Sequence, residues 1–497
     1  MKVHLMARDH GFNPQSPLPA NSPDLIQDLE LTTLLNAMAS GDRYIFDVCK
    51  TAVLSGSNNQ KTIRYRQDVL KDCLKNPEIV RQLYKIPIES IQNKNRRWLG
   101  IYSTFPSGIL SGSVEMMQMF VDLLKRLKTL ADEYAGQFES EGFRTFFAMI
   151  NLELADDYFA HIQEHLKALK FEDGVLISAE LGQGNEGINY VLRKPNGKKQ
   201  NWVKRMITQR ASVYTFRIDP HDDAGGKALA EARNRGINLV ANAVAQSADH
   251  IDNFLEMLRL ELAFYIGCLN LHDRLTQIGE SVSFPRPVAA AERSHEFQGL
   301  YDVCLALTMK QKIVGNNLNA QNKDLVLITG ANQGGKSTFL RSIGLAQLMM
   351  QCGMFVAATS FSANLCTGLF THYRRKEDAS MESGKLDEEL SRMSDIVDRI
   401  APNAMILFNE SFAATNEREG SEIARQITCA LLDERIKVFF VTHLYTFAHN
   451  LNDRKMANAI FLRAGREANG NRTFKLAEGQ PLQTSYGEDV YQEVFHD

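Results

Sequence analysis

A glycine-rich segment that ends in a lysine and a serine constrains the fold of this chain more than any other feature. It reads Gly330-Ala-Asn-Gln-Gly-Gly-Lys336-Ser337-Thr338 and follows an apolar run at residues 325–329. Helical periodicity begins near Lys336, so strand, loop and helix follow one another in the order that a phosphate-binding loop requires. The glycines let backbone N–H groups turn toward phosphate oxygens, and the start of the helix favours negative charge.

The loop predicts a bound nucleoside triphosphate, and we expect the cofactors to be ATP and Mg²⁺. Lys336 is expected to neutralise charge on the β- and γ-phosphates, and the Ser337 hydroxyl is expected to ligate the metal. The loop residues that we expect to contact the nucleotide are Gly330, Asn332, Gly334, Gly335, Lys336, Ser337 and Thr338.

A second apolar run, at residues 405–408, ends in Asn409-Glu410. Most P-loop ATPases carry Asp at the first of these positions, where it helps to hold the metal's water shell. Asn409 is neutral, so this sequence predicts a metal site at Ser337 and Asn409 with weakened affinity. Glu410 is the group that we expect to orient or deprotonate the attacking water.

A third apolar run, at residues 437–441, ends in Thr442-His443. In open α/β sheets, ligands bind at the carboxyl ends of the strands. His443 is therefore predicted to face the nucleotide and contact its γ-phosphate, and the expected catalytic residues are Glu410 and His443.

Cysteine usage and hydropathy restrict the compartment. The seven cysteines are scattered, and no two have CxxC spacing, which argues against a zinc site or a disulfide framework and favours a reducing cytosol. The N-terminus lacks the basic and apolar regions of a signal peptide, and no apolar stretch reaches about 18 residues. We therefore expect a cytoplasmic protein that does not contact a membrane. The formal net charge of -3 neither supports nor excludes nucleic acid as a partner.

The periodicity of apolar residues changes along the chain and predicts five segments. Alternating apolar strands and helices in the last two hundred residues indicate an α/β domain, and amphipathic helical patterns dominate before it. Short β-prone runs broken by Gly and Asn-Gly interrupt that helical region. The predicted segments are an irregular arm at 1–28, a helical part at 29–171, a small β-rich insert at 172–218, a second helical part at 219–300 and a P-loop ATPase domain at 301–497.

The order of the motifs resembles the ATPase domain of the MutS family of DNA mismatch-repair proteins. The motifs that carry the resemblance are the loop 330–338, Gly353-Met-Phe-Val-Ala357, Asn409-Glu410, Val441-Thr-His443 and Ser485-Tyr-Gly487. The resemblance implies an ABC-like P-loop domain of the MutS type. The upstream helices look like the family's core and lever helices, and the β-rich insert lies where the family has its DNA-backbone clamp.

The same resemblance implies partners and further site residues. It implies a homodimer with two ATP sites across the ATPase–ATPase interface, coupled through the levers to a clamp around DNA. The residues just upstream of the loop, Ile313 and Val314, would contact adenine. A segment of the opposite subunit would reach the γ-phosphate, and its nearest match here is residues 381–386, with Ser383 as the candidate contact.

Several features depart from the family pattern. Leu386-Asp387-Glu388 stands where the family has Ser-Thr-Phe, and a long loop at 411–420 replaces a glycine-rich one. We expect neither the family's N-terminal mismatch-reading domain, with its Phe-x-Glu wedge, nor a nuclease tail after the ATPase domain. Phe254-Leu255-Glu256 fits the wedge pattern but lies in an amphipathic helix, where Phe254 is expected in the core. Direct mismatch reading is therefore not expected.

A basic stretch without acidic residues runs from Arg193 to Arg217. Its charge density suits contacts to DNA phosphates, which position a protein without specifying sequence. The alternative is a solvated hairpin whose lysines protect its edges. The residues that we expect to contact duplex or branched DNA are Arg193, Lys194, Lys198, Lys199, Lys204, Arg205 and Arg210.

Two functional hypotheses follow. The first is a DNA-binding ATPase that works as an ATP-driven dimeric clamp in DNA repair or recombination. The second is a nucleotide-gated structural dimer with protein partners and little ATP turnover. Lys336, Glu410 and His443 favour the first hypothesis, whereas Asn409 and the altered segment at 381–386 favour the second.

Overall fold

The computed structural model describes residues 1–97, 105–172, 174–194, 215–375, 384–466 and 472–483. The chain forms two compact units. The first unit comprises Met1–Val3, Arg81–Phe138 and Arg144–Arg259. The second comprises His4–Val80, Glu139–Phe143 and the described residues of Leu260–Asp497. The helical part predicted at 29–171 is therefore shared between both units.

Helices form most of the chain before the nucleotide-binding loop. They are α1 (Ser22–Asp28), α2 (Leu31–Ala39), α3 (Arg43–Leu54), α4 (Gln60–Lys75), α5 (Pro77–Arg97), α6 (Pro106–Tyr134), α7 (Glu141–Glu153), α8 (Asp156–Ala168), α9 (Asp223–Gln277), α10 (Val303–Met309), α11 (Lys336–Gln351), α12 (Lys385–Val397), α13 (Glu417–Asp433) and α14 (Tyr445–Asp453). Short 3₁₀ turns lie at Ala135–Gln137, Gln183–Asn185 and Ala290–Glu292.

The strands form three sheets. They are β1 (Leu176–Leu181), β2 (Gly187–Arg193), β3 (Arg286–Val288), β4 (His295–Leu300), β5 (Asn316–Asn319), β6 (Leu325–Gly330), β7 (Ser360–Asn364), β8 (Leu369–Tyr373), β9 (Met405–Asn409), β10 (Lys437–Val441), β11 (Ala459–Arg466) and β12 (Arg472–Glu478). The sheet orders are β1-β2, β12-β11-β6-β10-β9-β8 and β3-β7-β4-β5.

The six-stranded sheet positions the nucleotide-binding loop. Strands β11, β6, β10, β9 and β8 run parallel, and β12 closes one edge antiparallel to β11. Val441 pairs with Ile328 on one side and with Asn409 on the other, so the carboxyl ends of β6, β9 and β10 lie level. Helices cover parallel sheets on both faces, which explains why these strands read as continuous apolar runs.

The N-terminal arm, predicted as irregular at 1–28, has neither helix nor strand before α1. It is nevertheless buried, because Leu5 and Met6 are fully enclosed. The Glu261 carboxylate of α9 accepts hydrogen bonds from the backbone N–H groups of Leu5, Met6 (3.0 Å) and Phe12 (3.0 Å). Burial raises the pKa of Glu261. Side chains distant in sequence therefore supply the hydrogen bonds that regular structure would otherwise supply.

The predicted insert at 172–218 contains the antiparallel hairpin of β1 and β2, whose register shifts between Ser178 and Glu180. Residues 195–214 of this segment lie outside the described residues. The hairpin packs on α9, because a Cβ atom added at Gly236 would lie 2.6 Å from the Ile177 side chain. Glycine at that position allows strand and helix to approach closely.

The second helical part, predicted at 219–300, matches the structure only as far as Gln277. Its last residues include β3 and β4, which belong to the four-stranded sheet. The helix ends at the turn that contains Gly279, whose φ angle is 75° and after which the Glu280 N–H donates to the Leu275 carbonyl (3.0 Å). Within α9, the Phe254 side chain is 3% exposed, so the Phe-x-Glu pattern places its ring in the core of the first unit. No helix in the described part of the chain is long and apolar enough to span a membrane.

Candidate nucleotide site

The loop between β6 and α11 forms a tight turn that needs glycine at both ends. Gly330 and Gly335 have φ angles of 110° and 85°, which side chains rarely adopt. A Cβ atom at Gly330 would also lie 2.8 Å from the backbone nitrogen of Ala464. This backbone places the following residues at the N-terminus of α11, where N–H groups attract anions.

Lys336 is buried inside this loop. Its Nζ atom donates hydrogen bonds to the carbonyl oxygens of Gly330 (3.0 Å) and Ala331 (2.8 Å). Burial lowers the pKa of Lys336 to about 8. Within the described residues the ammonium makes no salt bridge. A buried cation with carbonyl partners alone would gain from a bound anion, so the site fits a phosphate group.

Two oxygen atoms meet on the other side of the loop. The Ser337 hydroxyl donates a hydrogen bond of 2.8 Å to the side-chain oxygen of Asn409. Mg²⁺ prefers oxygen ligands and usually keeps several waters beside protein and phosphate oxygens. These two side chains fit that chemistry, although neither carries charge. No group of three or more His, Cys, Asp or Glu in the described segments could hold a metal by itself.

Glu410 and His443 form a pair at the ends of β9 and β10. The His443 Nε2 atom lies 2.9 Å from Oε1 of Glu410, and each side chain is about 30% exposed. The hydrogen bond from His443 lowers the pKa of Glu410, while burial opposes that shift. Glu410 is therefore an ionised carboxylate, partly accessible to water and held by an imidazole.

A cavity of about 470 Å³ connects these groups. Its wall contains the loop from Asn332 to Thr338 together with Ile313, Val314, Glu410 and His443. The structure thus brings together side chains that were predicted separately from three strands and an upstream segment. Gly330 contributes through its carbonyl bond to Lys336, and Asn409 through its bond to Ser337.

Asn316 and Phe474 are among the residues of this cavity wall that sequence reasoning missed. The Asn316 side chain donates to the Phe474 carbonyl (3.1 Å) and accepts from the Leu476 N–H (2.8 Å), which fixes β12 beside the loop. Arg472 donates to the carbonyl of Asn332 (3.1 Å). No motif marks these positions. Phe474 does have a φ angle of 54°, an unusual backbone state for a bulky residue.

Most of the remaining predicted site residues lie outside the described residues, and Arg193 and Lys194, which are described, do not line this cavity. Ser383 lies outside the described residues. Of the predicted DNA contacts, Arg193 and Lys194 are described, and Arg193 donates a hydrogen bond of 2.8 Å to the Ser178 hydroxyl on the neighbouring strand. The contacts that fall outside the described residues are Lys198, Lys199, Lys204, Arg205 and Arg210. Their role stays a prediction.

Comparison with known families finds two matches in different parts of the chain. Residues 58–278 match the MutS2 N-terminal domain, and residues 326–495 match MutS domain V. Among individual proteins, the DNA mismatch repair protein MutS of Streptococcus mutans is 26% identical over 264 residues, which cover 52% of this chain and 31% of that protein.

Two further relatives are also similar over only part of their length. The DNA mismatch repair protein MutS of Clostridium botulinum is 33% identical over 152 residues, covering 30% of this chain and 16% of that protein. The MutS protein homolog 4 of Mus musculus is 25% identical over 243 residues, covering 46% and 25% respectively. The aligned regions thus span about a third or less of these relatives.

Proposed function

Since this chain belongs to the MutS family, we propose that it hydrolyses ATP and couples the nucleotide to DNA binding. One observation carries the proposal: buried Lys336 lines the same cavity as the Glu410–His443 pair. A cation for phosphate and a carboxylate for water at one cavity are the two parts that phosphoryl transfer to water requires.

We assign each residue at the cavity a role that follows from its chemistry. Lys336 and the N–H groups at the start of α11 hold the β- and γ-phosphates, while Ile313, Val314 and Phe474 offer apolar surface to the adenosine. Ser337 and Asn409 would hold Mg²⁺, which neutralises charge on the phosphate oxygens when it is bound. Glu410 accepts a hydrogen bond from the attacking water and receives its proton, and His443 fixes the direction of that carboxylate.

DNA and a second copy of the chain are the proposed partners. The relatives named DNA mismatch repair protein MutS support DNA as a partner. We propose a homodimer that joins through its ATPase domains when ATP binds and acts as a clamp in DNA repair or recombination. We further propose that the Phe-x-Glu pattern at Phe254 does not read mismatches directly, because the Phe254 ring is buried. Residues 193–210 would contact the DNA backbone.

Asn409 supports a second candidate function. With an uncharged partner for Ser337 at the metal position, nucleotide could bind tightly and turn over slowly. The protein would then be a nucleotide-gated structural dimer whose partners are proteins. The two candidates differ in one measurable quantity, the steady-state rate of ATP hydrolysis.

The test is the ATPase rate with Mg²⁺, without DNA and with duplex, mismatched, branched or single-stranded DNA. Lys336→Ala should abolish ATP binding, because the phosphate loses its buried cation. Glu410→Gln should retain binding and lose turnover by about 10²-fold or more, the scale of general base catalysis. Lys323→Ala, at the opposite end of β6, is the matched control.

Each outcome assigns a function. Unchanged ATP affinity in Lys336→Ala would refute the nucleotide site. Full hydrolysis by Glu410→Gln would show that another base operates. Tight ATP binding by the natural sequence, with negligible turnover and no response to any DNA, would favour the structural dimer.

A further inference from the structure

The turn that carries Glu410 has an unusual backbone. Glu410 and Phe412 have φ angles of 56° and 62°, although neither is glycine. Left-handed conformations cost a non-glycine residue free energy, so they persist only where surrounding contacts enforce them. Ser411 and Phe412 are fully buried directly after β9, whereas Glu410 itself is partly exposed.

Two elements outside the nucleotide cavity enforce this turn. The Glu389 carboxylate of α12 accepts a hydrogen bond of 2.7 Å from the backbone N–H of Phe412. On β8, the His372 carbonyl accepts a hydrogen bond of 2.6 Å from the Ser411 hydroxyl, whose oxygen lies 2.7 Å from Nδ1 of the same histidine.

His372 also contacts the backbone of Glu389 and the aromatic ring of Phe412. His372 Nε2 lies 3.0 Å from the backbone oxygen of Glu389, and the imidazole stacks on the Phe412 ring at 5.2 Å between centroids. The contacts form a closed ring through β8, α12 and the turn. Gly420 completes the enclosure, because any Cβ there would lie 2.3 Å from the Phe412 carbonyl oxygen.

The surroundings of the two carboxylates shift their pKa values in opposite directions. Burial raises the pKa of Glu389, whereas the hydrogen bond from His443 lowers the pKa of Glu410. Burial also lowers the pKa of His372 to about 4, so its ring is neutral near pH 7. The buried contacts of Glu389 and His372 therefore suit a structural role, and the partly exposed, ionised Glu410 carboxylate suits contact with water.

We propose that Glu389 and His372 are positioning residues for Glu410, which they direct toward His443 and the nucleotide by fixing the turn at 410–412. This inference rests on the proposed role of Glu410 in hydrolysis. If Glu389 no longer accepts from the Phe412 N–H, the turn can leave the left-handed conformation and the carboxylate loses its direction. Nucleotide binding at the loop 330–338 does not depend on that hydrogen bond.

The test compares Glu389→Ala with Glu389→Gln in the full chain. A fluorescent N-methylanthraniloyl derivative of ATP reports affinity, and phosphate release gives kcat and KM. We expect Glu389→Ala to lower kcat by about 10²-fold, the scale of a misplaced catalytic group, with KM and nucleotide affinity unchanged. Glu389→Gln keeps an acceptor for the Phe412 N–H and should restore most of kcat.

A matched control separates positioning from loss of stability. Met393 lies one turn further along α12 in the apolar core, so Met393→Ala should lower the unfolding midpoint without lowering kcat at temperatures well below it. An equal loss of kcat in Met393→Ala would overturn the proposal. If Glu389→Ala does not fold, Ser411→Ala removes the contact with His372 instead, and normal kcat in that variant would likewise overturn it.

Glu410→Gln distinguishes the two proposals. If Glu410→Gln loses turnover and Glu389→Ala does not, Glu410 acts in hydrolysis and the positioning role is wrong. If Glu410→Gln hydrolyses ATP normally, the proposed function of Glu410 fails first. Loss of kcat in both, with recovery in Glu389→Gln, is the result that we expect.

Discussion

The central strands β6, β9 and β10 and the hairpin of β1 and β2 contain similar residues in opposite surroundings. In the sheet, Phe408 and Phe440 are completely buried, and their rings stack with centroids 4.7 Å apart. In the hairpin, Leu181 is 77% exposed and Val191 is 43% exposed. Apolar, β-branched and aromatic side chains are common in both, so composition alone does not tell the two regions apart.

The difference teaches where the stability of such a chain lies. A parallel strand inside a covered sheet removes every side chain from water, and each buried aliphatic or aromatic side chain stabilises the fold by about 1.5–3 kcal/mol. A two-stranded hairpin is marginal by itself in water and depends on what it packs against, here α9 through Ile177 and Gly236. The nucleotide site is attached to the first kind of structure.

Truncating one side chain in each region tests this contrast. Phe440→Ala should lower the free energy of unfolding by about 3–5 kcal/mol, because it leaves a cavity beside Phe408 and Phe447. Val191→Ala should change it by no more than about 0.5 kcal/mol. Denaturant unfolding of both variants measures the two effects. If Val191→Ala costs as much as Phe440→Ala, the hairpin is more strongly packed than its exposure indicates.

The buried strands are also where the sequence was most informative. Apolar runs predicted at 325–329, 405–408 and 437–441 correspond to β6, β9 and β10 within one residue. Each run ends in a polar motif, and parallel pairing places those motifs at one edge of the sheet. The loop glycines, Glu410 and His443 could therefore be predicted to meet, since local pattern and topology imply the same arrangement.

Contacts between distant segments could not be predicted. Phe474 reaches the nucleotide cavity because Asn316 pairs with β12, and no local pattern marks either residue. His372 lies inside an apolar strand and Glu389 on an amphipathic helix, and no sequence pattern distinguishes either residue from its neighbours. The strands β3 and β4 were likewise missed, because they are short and pair with β7, more than sixty residues away.

Burial in the sheet stabilises aromatic rings but should destabilise a charged side chain. Lys437, at the start of β10, tests this second effect. Its ammonium donates to the side-chain oxygen of Asn364 (2.5 Å), and burial lowers the pKa of Lys437 from 10.5 to about 7. Between these values the unfolded chain binds a proton that the folded chain does not. The free energy of unfolding should therefore rise with pH from about 7 to 10, by at most about 1.4 kcal/mol per pH unit.

Lys437→Met removes the titrating group, so the rise should shrink in this variant. Unfolding in denaturant at pH 7, 8, 9 and 10 gives the two slopes. Lys323→Met, at a much less buried lysine just before β6, is the matched control and should keep the slope of the natural sequence. Equal pH dependence in the Lys437 variant and the natural sequence would mean that water or a partner group stabilises the ammonium.

The smallest expected effect on stability belongs to the basic stretch that follows the hairpin. Replacing Lys198, Lys199, Lys204 and Arg205 with alanine should leave ATP binding without DNA unchanged and weaken DNA binding. Each lost phosphate contact should also reduce the slope of log affinity against log salt by about 0.9.

Replacing Lys50, Lys61, Lys71 and Lys75 makes the same change in net charge elsewhere, so it controls for overall charge. A reduced salt slope in the first variant alone would make the hairpin region a DNA contact despite its small share of the buried core. If both variants bind DNA with the affinity of the natural sequence, the alternative interpretation holds, in which the lysines are solvated and prevent strand-to-strand association.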